Sequence, residues 1–180
     1  MNVVVTGAGG FIGKELCRRL IGLGASVACF DRTLPQDASA AIASHDLEWI
    51  VGDFSDGQLI RRAVSGADYV FHLISTTIPA TSSLNPIYDV ETNLISTLRC
   101  IELALESGVK RIVFVSSGGT VYGRPQTLPI AEDHPTEPLV SYGVVKLAIE
   151  KYLRLYWRLY GLSYRIVRLS NPYGPRQDIA

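Results

Sequence analysis

Short β-branched runs alternate with longer stretches of helical periodicity along the whole chain. "NVVVTG" reads as a strand ending on glycine. "FIGKELCRRLIGLG" carries apolar residues at Phe11, Ile12, Leu16, Leu20 and Leu23, a helical spacing, with Gly24 as its stop. "SVACFD", "LEWIVGDF", "DYVFHLIS", "KRIVFVSS" and "SYRIVRLS" predict five further strands. Between them, "SDGQLIRRAVSG" predicts a helix capped by its serine or aspartate and closed at Gly66. Residues 86–107 predict a long helix closed at Gly108, and a last helix is opened by Ser141 and closed at Gly161. The polar, alanine-rich stretch 35–45 is of open helicity, residues 124–140 read as a proline-rich loop, and "NPYGPRQDIA" reads as a loop leaving a strand.

Near-continuous apolar strands separated by helices call for a parallel sheet covered on both faces. Right-handed crossovers then favour an α/β, doubly wound parallel sheet in the order 3-2-1-4-5-6. A length of 180 residues fits one domain. Its 17 basic and 17 acidic side chains cancel, which argues against a general nucleic-acid binder. The longest apolar runs, such as "YVFHLI", are too short to span a bilayer, and "MNVVVTGAGG" has no basic region ahead of an apolar core. Cys17, Cys29 and Cys100 form neither a metal-ligand spacing nor a disulfide framework, so they read as reduced core thiols of a cytoplasmic protein, and no metal site is expected.

"TGAGGFIG" sets Gly7, Gly10 and Gly13 between the first strand and the first helix. One glycine there permits the tight turn, another lets backbone approach a pyrophosphate, and the third lets helix and sheet pack closely. The phosphates would sit at the helix N-terminus, where free N–H groups and the macrodipole favour an anion. Asp31 ends the second strand 18 residues after Gly13, placed to take the ribose hydroxyls of NAD. Its charge would repel the extra phosphate of NADP, whereas Arg32 beside it could welcome that phosphate. In "GDFSD", Asp53 either meets an adenine amino group or simply starts a turn.

"SYGVVKLAIE" places Tyr142 and Lys146 four apart, on one face of the helix that follows the fifth strand. A free tyrosine titrates near 10 and is a poor base at neutral pH. An adjacent ammonium and an oxidised nicotinamide would favour the phenolate and make Tyr142 an acid–base group for an alcohol being oxidised. Alone, such a pair more often marks a solvated helix face.

Together, "TGAGGFIG", "GDFSD", "VFHLIS", "ETNLISTL", "FVSSGGTVYG", "EDHPTEPLVSYGVVKLAIE" and "RLSNPYGPRQ" resemble the extended short-chain dehydrogenase/reductase family, in its sugar-nucleotide epimerase/dehydratase branch. The resemblance covers nearly the whole chain. It implies a Rossmann fold binding NAD over residues 1–180, with a C-terminal substrate domain truncated from the sequence. It also implies Phe11 and Ile12 over the pyrophosphate, Phe54, Leu73, Ile74, Ser75 and Ser116 along the cofactor, and Asn93 under the nicotinamide side. Tyr142 becomes the acid–base residue and Lys146 grips the nicotinamide ribose. Asn171 reaches the diphosphate of a nucleotide-sugar, expected to be a UDP-sugar.

The family's usual catalytic serine or threonine falls at residue 118, where this chain has Gly118. The missing hydroxyl must then come from Ser117, Thr120 or a water, or be absent, with Thr120 favoured. Members that dehydrate sugars carry an acidic pair where this chain reads Gly119-Thr120, so elimination is disfavoured. The expected activity is an NAD-dependent nucleotide-sugar epimerase, with inversion of a UDP-hexose at C4. A dehydrogenase or reductase of the same substrate class, or a cofactor-binding module without activity, are the alternatives. His72 reads as a core histidine, and His45 and His134 have no partners at metal spacing. Tyr152, Tyr156, Trp157 and Tyr160, interleaved with arginines, read as core packing or, more in keeping with the family, as the contact of a homodimer.

Overall fold

Each β-branched run lies beside a parallel neighbour. The computed structural model describes residues 1–35, 47–175 and 177; the stretch 36–46, His45 included, falls outside them. Six strands, β1 (Asn2–Thr6), β2 (Ser26–Asp31), β3 (Leu47–Val51), β4 (Tyr69–His72), β5 (Arg111–Ser117) and β6 (Ser163–Leu169), form one sheet. Its order is β3-β2-β1-β4-β5-β6, every pair is parallel, and the chain winds outward in both directions from β1. That order is the doubly wound one expected from the sequence.

Val3, Val4 and Val5 of β1 are at most 1% exposed, because helices cover both faces of the sheet and no position on the strand meets water. Val3 and Val5 join Val27, Cys29, Cys17 and Leu20 under helix α1 (Phe11–Gly22). Val4 faces the larger core, with Phe30, Ile60, Ile101, Phe114 and Ile149. Cys17 and Cys29 meet there with their sulfurs 3.4 Å apart, and all three cysteines are buried thiols. Helix α1 stops at Gly22, so Leu23 falls outside its buried face and is exposed.

Helix α2 (Gly57–Val64) is capped by Asp56, whose carboxylate accepts the N–H groups of Gln58 and Leu59. The long pattern expected as one helix over 86–107 has three parts: α3 (Pro86–Asp89), a π-helical turn (Val90–Ile95) and α4 (Ser96–Glu106). The wider turn buries Asn93, and such turns recur where a side chain must be re-aimed. Helix α5 (Ser141–Tyr160) closes on Gly161, in the left-handed conformation at φ 74°. Among the described residues no helix is long and apolar enough to cross a membrane.

Two polar groups are folded into the core with their partners. His72 takes Thr6 Oγ1 and Thr97 Oγ1 at 2.8 Å each and lies between the rings of Phe54 and Phe114. Burial, and then the charge of Lys146, push its pKa down to about 3, so it stays neutral. Glu150, 5% exposed, receives Ser116 Oγ at 2.6 Å and both Nε and Nη2 of Arg168, at 3.0 and 2.6 Å. This clamp joins α5, β5 and the edge strand β6. Arg168→Met would leave the buried carboxylate uncompensated and should cost about 3 kcal/mol in chemical denaturation; an unchanged midpoint would show that the pair carries no net weight.

Candidate active site

The sequence of the first crossover makes a turn that only small residues can fill. Gly7 has φ +77°, and a Cβ on Gly13 would collide with Gly7 O and lie 2.7 Å from Ala8 Cα. Helix α1 thus approaches β1 more closely than any side chain at residue 13 allows. Its N-terminus, at Gly10, has no side-chain cap and no acid in the first turn, which leaves N–H groups facing outward for an anion.

Beside this turn lies a cleft of about 540 Å³ at the carboxyl ends of β1, β2 and β4. Gly7, Gly10, Asp31, Arg32 and Phe54 line it from one side, and Leu73, Ile74, Ser75 and Thr76 from the other. The opposite winding of the crossovers from β1 and β4 opens this crevice. Asp31 spans the turn: its Oδ2 accepts Gly9 N–H at 2.8 Å and its Oδ1 accepts Arg32 N–H at 2.7 Å. Asp53 accepts the N–H and hydroxyl of Ser55 and stands 3.4 Å from Arg32. Those hydrogen bonds first, and Arg32 last, hold its carboxyl below its ordinary value. Arg32 is therefore already paired with a carboxylate.

These features fit a dinucleotide. The turn is cleared of Cβ atoms, the helix end is uncapped, and a carboxylate stands at the end of β2 for ribose hydroxyls. Phe11 and Ile12 lie on the outer side of the turn, lining a second groove with Tyr173 and Gly174. Asn171 is exposed on the segment leaving β6.

Tyr142 and Lys146 occupy the first two turns of α5. Lys146 is 4% exposed; its Nζ donates to Val115 O at 3.0 Å and stands 4.9 Å above the Phe114 ring and 5.5 Å from the Tyr142 ring. Burial lowers its pKa to about 8, with Asp89 opposing the change. The Tyr142 phenol is moved the other way: burial raises its pKa, the hydroxyl of Ser75 lowers it by hydrogen bonding, and Asp89 raises it again. Desolvation therefore governs the phenol here, whereas the sequence reading gave that part to the lysine. Ser75 lines the cleft, and its hydroxyl donates to Thr77 O at 3.0 Å.

The candidates for the second hydroxyl separate. Thr120 Oγ1 is buried with no hydrogen-bond partner, while the Thr120 backbone packs on Gly143 of α5. Ser117 is half-buried at the end of β5, and Ser116 is committed to Glu150. Gly118 donates to Leu169 O, and a Cβ there would sit 3.0 Å from Arg168 O, so the β6 backbone fills the space a side chain would use. Sequence reasoning missed the residues around the α5 N-terminus. Asp89, four before Asn93, is fully buried, and Ser82 is buried with it. The one signal available was that Val140, in the capping position of α5, has no side-chain acceptor.

The sequence model of the NAD dependent epimerase/dehydratase family matches residues 3–179. A putative UDP-glucose 4-epimerase of Methanocaldococcus jannaschii is 36% identical over 177 residues, covering 98% of this chain and 57% of that protein. The crystal structure of a Thermotoga maritima UDP-glucose 4-epimerase with UDP-glucose superposes with a TM-score of 0.89 at 34% identity, over 99% of this chain and 58% of that one. A Thermus thermophilus UDP-glucose 4-epimerase in complex with NAD gives 0.89 at 33% identity, over the same shares. The chain thus spans 57–58% of the length of these relatives. With its glycine turn, acidic β2 terminus and Tyr142-Lys146 pair, it belongs to the NAD-dependent epimerase/dehydratase family.

Proposed function

We propose that this chain is the NAD-binding part of a nucleotide-sugar epimerase that inverts a UDP-hexose at C4. The observation that carries the reading is the pairing on α5 of the buried Lys146 ammonium with the half-buried Tyr142, 5.5 Å from its ring centroid, in a chain whose glycine turn and Asp31 shape a dinucleotide cleft. Asp31, with Arg32 already engaged by Asp53, favours NAD over NADP.

NAD, when bound, supplies a hydride acceptor that later returns the hydride. Tyr142 takes the proton from the sugar hydroxyl as the hydride leaves the same carbon, and gives a proton back after the keto-sugar has turned. Lys146 supplies a fixed positive charge beneath the phenol; with a pKa of about 8, that charge fades as pH rises past 8. Gly119 and Thr120 offer no carboxylate for moving protons at neighbouring carbons, so redox without elimination fits this site. A dehydrogenase or reductase would use the same groups, and accumulation of NADH separates it from an epimerase.

The exposed aromatic face of α5, with Tyr152, Trp157 and Tyr160, is read as the contact of a homodimer. Trp157→Glu should then shift the sedimentation coefficient from dimer to monomer; a wild-type monomer would overturn that part. Gly13→Ala should abolish NAD binding by calorimetry, because its Cβ would displace the turn; wild-type affinity would remove the turn from the site. The central test is a proton NMR time course with UDP-glucose and NAD. Interconversion with UDP-galactose, without NADH build-up, is expected, and Tyr142→Phe should slow it by roughly 10²–10⁴-fold while NAD still binds. Undiminished turnover in that variant would refute the assignment.

A further inference from the structure

The helix that carries Tyr142 and Lys146 has no local cap. Its first N–H groups are taken by side chains from far away in sequence: Ser141 N–H by Ser83 Oγ at 3.2 Å, and Tyr142 N–H by Ser82 Oγ at 3.1 Å. Both serines belong to the short 3₁₀ turn Ser82–Leu84, after β4. Asp89, 0% exposed, lies at the centre of the same contact. Its Oδ2 accepts the Ser141 hydroxyl at 2.6 Å, and its Oδ1 accepts Thr77 Oγ1 at 2.8 Å and Asn93 Nδ2 at 2.9 Å. Asn93 in turn accepts Thr76 N–H at 2.9 Å. One carboxylate therefore joins the cleft wall, the π-helical turn and the first residue of α5.

A buried carboxylate is costly unless its oxygens are bonded and opposite charge is near. Three donors and the positive end of α5 meet the first need in part. The charge of Asp89 acts through space on the ammonium of Lys146, which has no carboxylate within ion-pair distance among the described residues. The other ionisable groups facing this pair are already neutral or paired: His72 of β4 is uncharged, and Glu150, one turn along α5, is held by Arg168 of β6.

We propose that Asp89 is a positioning residue for the Tyr142-Lys146 pair, locking the first turn of α5 to the cleft wall and supplying the charge that balances Lys146. This inference rests on the reading of Tyr142 as the acid–base group. The same negative charge raises the pKa of both the lysine and the phenol.

The test is Asp89→Asn, whose amide can keep the bonds to Thr77 and Asn93 while Ser141 turns its hydroxyl to accept. In protein carrying ¹³C at tyrosine Cζ and saturated with NAD, the Tyr142 resonance is identified by its loss in Tyr142→Phe. Removal of the charge should move the Tyr142 titration to lower pH, and both limbs of the turnover profile with it. An unmoved titration in the folded variant overturns the proposal, since a purely structural role would lower turnover without shifting the midpoint. Should Asp89→Asn not fold, Ser141→Ala removes the bond to α5 alone, and hydrogen exchange at the Tyr142 amide should become at least tenfold faster; unchanged exchange overturns it. If the titration moves but the wild type interconverts no sugar, the epimerase reading falls and the role of Asp89 stands. If sugars interconvert and the titration does not move, the reverse holds.

Discussion

The near-complete burial of Lys146 is the constraint around which the second half of the chain is arranged. An ammonium out of water must find oxygen, aromatic faces or negative charge. Here it finds the Val115 carbonyl, the faces of Phe114 and Tyr142, and the field of Asp89. The surroundings are adjusted to match. His72 is kept uncharged between two rings, and Glu150 is neutralised by Arg168, so neither competes for or repels the ammonium.

The glycine-rich half solves a different problem by leaving atoms out. Close approach of α1 to β1 clears a turn for an anion, and Asp31 fastens that turn to the end of β2. The two halves meet in the segment after β4. Leu73 to Thr76 form one wall of the cleft, and Thr76 donates its N–H to Asn93, which is tied through Asp89 to the first residue of α5. Cofactor geometry and acid–base geometry are thus set by one short piece of chain.

How legible these parts were in the sequence follows the range of the interactions. The strands were readable because burial on both faces leaves an unbroken apolar run such as Val3–Val5. The glycine turn and the Tyr142-Lys146 pair were readable because their spacing is local. The π-helical turn was not: "VETNLI" has ordinary helical composition, and the wider turn exists because Asn93 and Asp89 have distant partners to meet. Nor was the capping of α5 by Ser82 and Ser83, which lie about 60 residues earlier in the chain. Gly118 was legible as a departure, but its reason, the β6 backbone occupying the space, required the sheet register.

That π-helical turn also makes chain length at this point a matter of orientation. In an α-helix each residue advances about 100° around the axis. A π-helical turn closes on one residue more than an α-helical turn. Were Val90–Ile95 wound as ordinary α-helix with every residue kept, α3 would be rotated by about that angle relative to α4, and Asp89 would leave the α5 N-terminus. The wide turn takes up the additional residue locally, so that Asp89 on one side and the buried face of α4 on the other each keep their direction.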